Sequence, residues 1–145
     1  MKCKLSLIIE GMDRANTDEK YYLNIKNGRV FVNSEFGLFY IDNNEDIEDD
    51  ILYSNDIVSL PTQYEINEYK IIEYFIKTIK DSQIKKQLLI VIKGNGAFRR
   101  FKDSCINFGI INDWFIFRDK AYYELAKEWC IWNNIEYDDD VTIRI

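Results

Sequence analysis

At 145 residues, with 47% hydrophobic and 15% aromatic content and a net charge of −6, the chain has the size and apolar share of one folded domain and too many core-forming residues for a disordered segment. It has no histidine, which excludes Ser–His–Asp and Cys–His catalysis, H-E-x-x-H zinc sites and Cys/His zinc fingers. Cys3, Cys105 and Cys130 are odd in number and far apart, so no disulfide framework or C-x-x-C pair is expected, and a reducing cytoplasmic compartment is the simpler reading.

The longest apolar run, Leu88–Ile92, is far too short for a bilayer, and the first residues lack the apolar stretch of a signal peptide. A soluble protein with no membrane partner is expected. The acidity is local: Asp42, Glu45, Asp46, Glu48, Asp49, Asp50 and Asp56 share residues 42–56 with no base, and the rest of the chain is close to neutral. A low overall isoelectric point is therefore a weak argument against nucleic-acid binding.

In chain order, Leu5, Ile8, Ile9 and Met12 predict a short helix over 4–12 that stops near Gly11. Tyr21–Ile25 and Val30–Val32 flank Asn27-Gly28, a strong hairpin signal, and a third strand is expected over Phe36–Ile41 after a turn near Asn33-Ser34. Residues 42–50 read as a charged loop, and Ile57–Leu60 before Pro61 as a short extended segment. Helices follow: one through Ile66, Tyr69, Ile72 or Glu73, Phe75 or Ile76 and Ile79, and one capped by Asp81 or Ser82 and ending at Gly94. A third opens at Gly96 with Phe98, Phe101, Cys105 and Phe108 at helical steps and is closed by Gly109. A long last helix, capped by Asp113, is expected to bury Trp114, Phe117, Ala121, Leu125, Trp129 and Trp132 along one face. Ile135–Tyr137 and Val141–Ile145 read as extended, with a C-terminal strand returning to the hairpin. The expected fold is α+β: a small antiparallel sheet, made of the N-terminal hairpin and a C-terminal strand, beside a bundle of about four helices. It forms a single domain over 1–145, with 1–60 holding the short helix, hairpin and acidic loop and 61–145 the helical part.

The segment Lys93–Asp103 carries the main candidate site. A Gly94-Asn95-Gly96 turn precedes a helix start, and Lys93, Arg99, Arg100 and Lys102 occupy 93–102 with no acid among them. Free main-chain N–H groups, a turn that permits close approach and nearby cations suit a phosphate, a nucleic acid or an acidic protein surface. The competing reading is a helix junction whose arginines pair with the protein's own acids. The segment is neither a P-loop nor a dinucleotide fingerprint.

The acidic loop, with Asp42, Asp46, Asp49 and Asp50, is the second candidate. Its opening resembles a calcium loop, but Ile47 stands where glycine is required and Tyr53 where the bidentate glutamate belongs. A solvated loop, or one docked on Arg99 and Arg100, is expected, and no metal. Asp138-Asp139-Asp140 reads as a turn between extended segments. Phe115, Tyr122 and Tyr123 do not all fit inward, and exposed aromatics beside Arg118 would suit a protein-binding surface.

Gly-x-Gly-Ala-Phe-Arg-Arg-Phe-Lys-Asp at 94–103, Trp114-x-x-Phe117-Arg118 and Glu128-Trp129-Cys130 together resemble a bacterial uncharacterised protein family, number 0158 of the UPF series. Leu60-Pro61, Tyr64-Glu65-Ile66 and Ile135-Glu136-Tyr137 extend the resemblance over most of 57–137, while the first 56 residues match only loosely. Phe115-Ile116 depart from the tyrosine and polar residue often found there. The resemblance implies a soluble bacterial protein without established enzyme activity, and supplies no functional residues.

The expected function is a small cytoplasmic, non-enzymatic protein-interaction module, an adaptor, regulator or inhibitor of a larger protein partner. The alternative is binding of nucleic acid or a phosphate ligand through Gly94–Lys102. No cofactor is expected. An enzyme ranks third: Asp119, Glu124 and Glu128 share one helix, but the di-metal bundle pattern needs Glu-x-x-His.

Overall fold

The structure, a computed structural model, describes residues 2–142. They form two compact units, residues 2–66 with 122–142 and residues 67–121. Among the described residues no helix is long and apolar enough to cross a membrane.

The first unit is built on β1 (Cys3–Lys4), α1 (Leu5–Arg14), β2 (Lys20–Asn24), β3 (Arg29–Ser34), β4 (Gly37–Tyr40), β5 (Asp46–Ile47), a 3₁₀ turn over Asp49–Tyr53, β6 (Ile57–Ser59) and α2 (Gln63–Ile66). Five strands form one antiparallel sheet in the order β5-β4-β3-β2-β6. The expected hairpin is present, with Tyr22 opposite Phe31 and Leu23 opposite Val30. Its turn takes the four residues between Asn24 and Arg29, with Gly28 at φ 71° and its N–H donating to the Asn24 carbonyl at 2.8 Å.

Strand alternation separates two surfaces. Leu23 and Val30 are buried on one face, and on the other the Phe31 ring stacks on Tyr22 at 5.3 Å and meets Tyr40 edge-on at 6.3 Å. The acidic segment 42–50 is not simply a loop, because Asp46 and Ile47 add an edge strand opposite Phe39 and Leu38.

Buried Leu5, Ile8 and Met12 place one stripe of α1 inward, as the spacing predicts. Gly11 does not end the helix; it lies inside it, buried, where Leu60 and Val30 come too close to admit a side chain. The C-terminal strand also differs from expectation. Tyr137–Asp138 (β7) pairs in parallel with β1, not with the hairpin, whose strands β2 and β3 already have a neighbour on each side, β6 and β4. Of the extended segment expected at 141–145, Val141 and Thr142 are not in a strand, and residues 143–145 lie outside the described residues.

Asp140 instead caps α1. Its carboxylate accepts from the Ser6 N–H at 2.9 Å and the Ser6 hydroxyl at 2.5 Å, supplying the acceptor that the preceding Lys4 lacks. Burial opposes ionisation of Asp140, but the Ser6 contacts prevail and its carboxyl sits below the usual range.

The second unit comprises α3 (Glu68–Thr78), α4 (Ser82–Val91), α5 (Ala97–Asn107) and the first part of α6 (Ile111–Trp132). Asp81 caps α4 as expected, accepting from Gln83 and Ile84 N–H at 2.9 and 3.2 Å. Gly109, at φ 72°, ends α5 in a Schellman motif, with the Ile110 N–H on the Cys105 carbonyl at 2.9 Å and the Gly109 N–H on Ile106 at 3.1 Å. The core is aromatic: Phe75, Phe101 and Trp114 meet edge-on with ring centres 5.0–6.0 Å apart.

The stripe expected along α6 is displaced. Trp114 is buried, but in residues 122–132 the buried line is Tyr122, Ala126 and Cys130, whereas Trp129 is half-buried and Trp132 is 85% exposed. Small residues four apart allow close approach of the backbone, and the bulkier row one position back is left at the margin.

Candidate functional site

The Gly94–Gly96 turn joins α4 to α5 with both glycines in left-handed geometry, φ 81° and 76°. The Arg100 guanidinium folds back over this turn. It donates from Nε to the Val91 carbonyl at 3.0 Å, from Nη2 to Lys93 at 2.5 Å and from Nη1 to Asn95. The Val91 carbonyl at the end of α4 has no partner within the helix, and a planar five-donor fork can serve it together with the Lys93 and Asn95 carbonyls of the turn. Arg100 is therefore occupied as the clamp of the turn.

Lys93, Arg99 and Lys102 are exposed, and their side chains make no hydrogen bond or ion pair among the described residues. The first turn of α5 has no side-chain cap. Arg118 stands apart from this set: its Nε donates to Glu68 Oε1 at 2.7 Å, with both side chains about four-fifths shielded, tying α6 to the first turn of α3. Phe115 beside it is 40% exposed.

The acidic residues also separate. Asp42 binds Arg29 through two contacts, Nη2–Oδ1 at 2.9 Å and Nε–Oδ2 at 3.3 Å, and Glu45 approaches the same guanidinium at 3.6 Å. Arg29 lies over the Tyr40 ring, 3.7 Å from its centre. The hydrogen bond from Arg29 holds the Asp42 carboxyl below its usual range, and Arg29 is raised in turn. Asp46, Asp49 and Asp50 remain exposed. Among the described residues no group of three or more His, Cys, Asp or Glu is placed to hold a metal ion.

A further surface of the first unit was not anticipated. Two open cavities, about 550 and 270 Å³, flank the loop between α1 and β2, and Asn16, Thr17 and Glu19 line both. Asn16 shapes that loop: its Oδ1 accepts from the Asp18 and Glu19 N–H groups at 2.8 and 2.9 Å. On one side the β3–β4 turn presents Glu35 and Phe36. The Ser34 hydroxyl holds this turn, donating to the Gly37 carbonyl and accepting from the Phe36 N–H. On the other side, Thr62 and Glu65 bond reciprocally as a capping box and present Tyr64.

Phe36 is 81% exposed and Tyr64 92% exposed. Each had a weak sequence signal: an aromatic at the tip of a tight turn, and an aromatic inside a Thr-x-x-Glu box. Neither signal identifies the opposite wall of the groove.

A family model, described as uncharacterised protein family UPF0158, matches residues 1–142. The chain belongs to UPF0158. Membership extends beyond the 57–137 stretch that carries the resemblance, so the sheet with the Phe36 turn and the acidic segment lies within the matched region. No curated protein and no solved structure matches the chain.

Proposed function

We propose that this UPF0158 protein is a non-enzymatic protein-interaction module of the bacterial cytoplasm, acting as an adaptor, regulator or inhibitor of a larger partner. The observation that carries the reading is the open presentation of Phe36 and Tyr64 on either side of a grooved loop. Burying large aromatic side chains contributes much of the energy of protein interfaces, and here both rings are held out by ordered turns, which lowers the entropy lost on binding.

Binding of nucleic acid or a phosphate ligand through Gly94–Lys102 is the second reading. Lys93, Arg99, Lys102 and the uncapped start of α5 support it. Arg100 adds less to that reading, because its Nε, Nη1 and Nη2 each already donate to a carbonyl of the turn.

Affinity capture from host lysate, with and without nuclease, tests both. The expected result is a nuclease-resistant partner that is retained by Arg99→Glu/Lys102→Glu and lost with Phe36→Ala/Tyr64→Ala. Nuclease-sensitive recovery that is lost with the Arg99→Glu/Lys102→Glu pair would put the second reading first.

A further inference from the structure

The chain contains its own example of how it holds an arginine. Arg29 lies over an aromatic ring, Tyr40, and its fork is closed by carboxylates, Asp42 bidentately and Glu45 at 3.6 Å. Ring face and carboxylates together satisfy the two sides of a guanidinium: the weakly hydrated face stacks, and the N–H edge donates to paired oxygens.

The larger cavity in the first unit gathers the same kinds of group without an arginine. Asp18, Glu19, Glu35 and Phe36 line it, and every ionisable group among its lining residues is a carboxylate. Asp18 and Glu35 are exposed and their carboxylates make no hydrogen bond or ion pair among the described residues, whereas Glu19 already accepts from the Asn16 amide at 3.1 Å. Phe36 is 81% exposed at the cavity edge. The adjoining cavity, where Glu19 and Lys20 offset each other in charge, extends the groove with the apolar surface of Leu60, Pro61 and Tyr64.

We propose that this groove docks an arginine-bearing segment of a partner protein, with the guanidinium between the Phe36 ring and the Asp18 and Glu35 carboxylates and a neighbouring apolar side chain against Leu60, Pro61 and Tyr64. The proposal rests on the interaction reading above and names its partner chemistry. The carboxylates of the larger cavity select a cationic segment by charge complementarity, and an aromatic ring at the edge of the same cavity selects arginine over lysine. Three lining segments from separate places in the chain form the site, so an extended peptide can cross the loop and meet both aromatic rings.

The test uses the full chain and a fluorescein-labelled octapeptide of alternating arginine and leucine, with glutamate–leucine and lysine–leucine peptides as controls. Binding is read by fluorescence polarisation and mapped by amide chemical shifts. The arginine peptide is expected to saturate with a Kd on the order of 10–100 μM and to shift residues 16–20, 34–37 and 60–64. Asp18→Lys/Glu35→Lys and Phe36→Ala should each weaken it about tenfold or more, with the remaining amide spectrum showing an intact fold.

Absence of saturable binding, equal binding of the glutamate peptide, shifts confined elsewhere or unchanged affinity in the variants would each overturn the groove. Equal affinity for the lysine peptide would overturn the assignment to arginine. A lysate partner that still binds Asp18→Lys/Glu35→Lys would leave the interaction reading standing and remove this site from it.

Discussion

Gly11 shows how one residue's meaning depends on its surroundings. Within a helix, glycine costs roughly 1 kcal/mol relative to alanine, so its presence in α1 needs a compensating reason. That reason is contact: a Cβ at this position would lie 2.5 Å from Leu60 Cδ1 and 3.0 Å from Val30 Cγ1. Helix propensity and packing oppose each other here, which makes the sign of one substitution informative. Gly11→Ala is expected to lower stability by about 1–3 kcal/mol, because overpacking a filled site exceeds the gain in propensity. Urea unfolding should show a lower midpoint with an unchanged slope. A more stable variant would mean that Leu60 moves aside freely. The sequence marked this glycine as a helix stop because the neighbour that requires it, Leu60, is almost fifty residues away.

At the scale of an element, the α4–α5 connection depends on a single side chain. Arg99 and Arg100 are adjacent and chemically identical, yet Arg100 is committed to main-chain carbonyls while Arg99 is exposed. Arg100→Lys should cost about 1 kcal/mol, since one ammonium cannot span the same carbonyls, whereas Arg99→Lys should stay within roughly 0.5 kcal/mol of the parent. Thermal or urea unfolding of the two variants side by side checks this, and equal losses would remove the clamp. The caps at Asp81 and Gly109 were legible because capping is local in sequence. The clamp was not: its acceptors are set by the path of the turn, which residue type alone does not specify.

The molecule as a whole carries three thiols, all buried: Cys3 and Cys130 in the first unit and Cys105 in the second. Burial pushes Cys105 and Cys130 up to about 11. Folding therefore favours the neutral thiol. The associated stability is fully present below the ordinary value of 9.0 and is lost as pH rises from there towards about 11. Native protein at mildly alkaline pH should resist alkylation by iodoacetamide at all three positions, with rapid labelling once denaturant is added, as mass spectrometry would record. Stability measured from pH 9 to 11 should fall more steeply for the parent than for Cys105→Ala/Cys130→Ala. Prompt labelling of a native thiol would show that its unit opens readily.

The sequence by itself determined most of the elements, though not the edge strand at Asp46–Ile47. Hairpin spacing, proline, capping residues and helical periodicity act over a few residues, and they place the strands and helices of an α+β chain in order. It also excluded histidine-dependent chemistry, which composition alone can do. Tertiary structure decided which of those residues remain available. Arg100, Arg118 and Asp42 had looked like surface charges, yet each has a defined partner in the fold. Asp18, Glu35, Phe36 and Tyr64 were not among the site residues the sequence pointed to, and they came to line adjoining cavities only when three distant segments met. Burial and ion pairing are properties of neighbours in space, and strand pairing between residues far apart in the chain sets those neighbours.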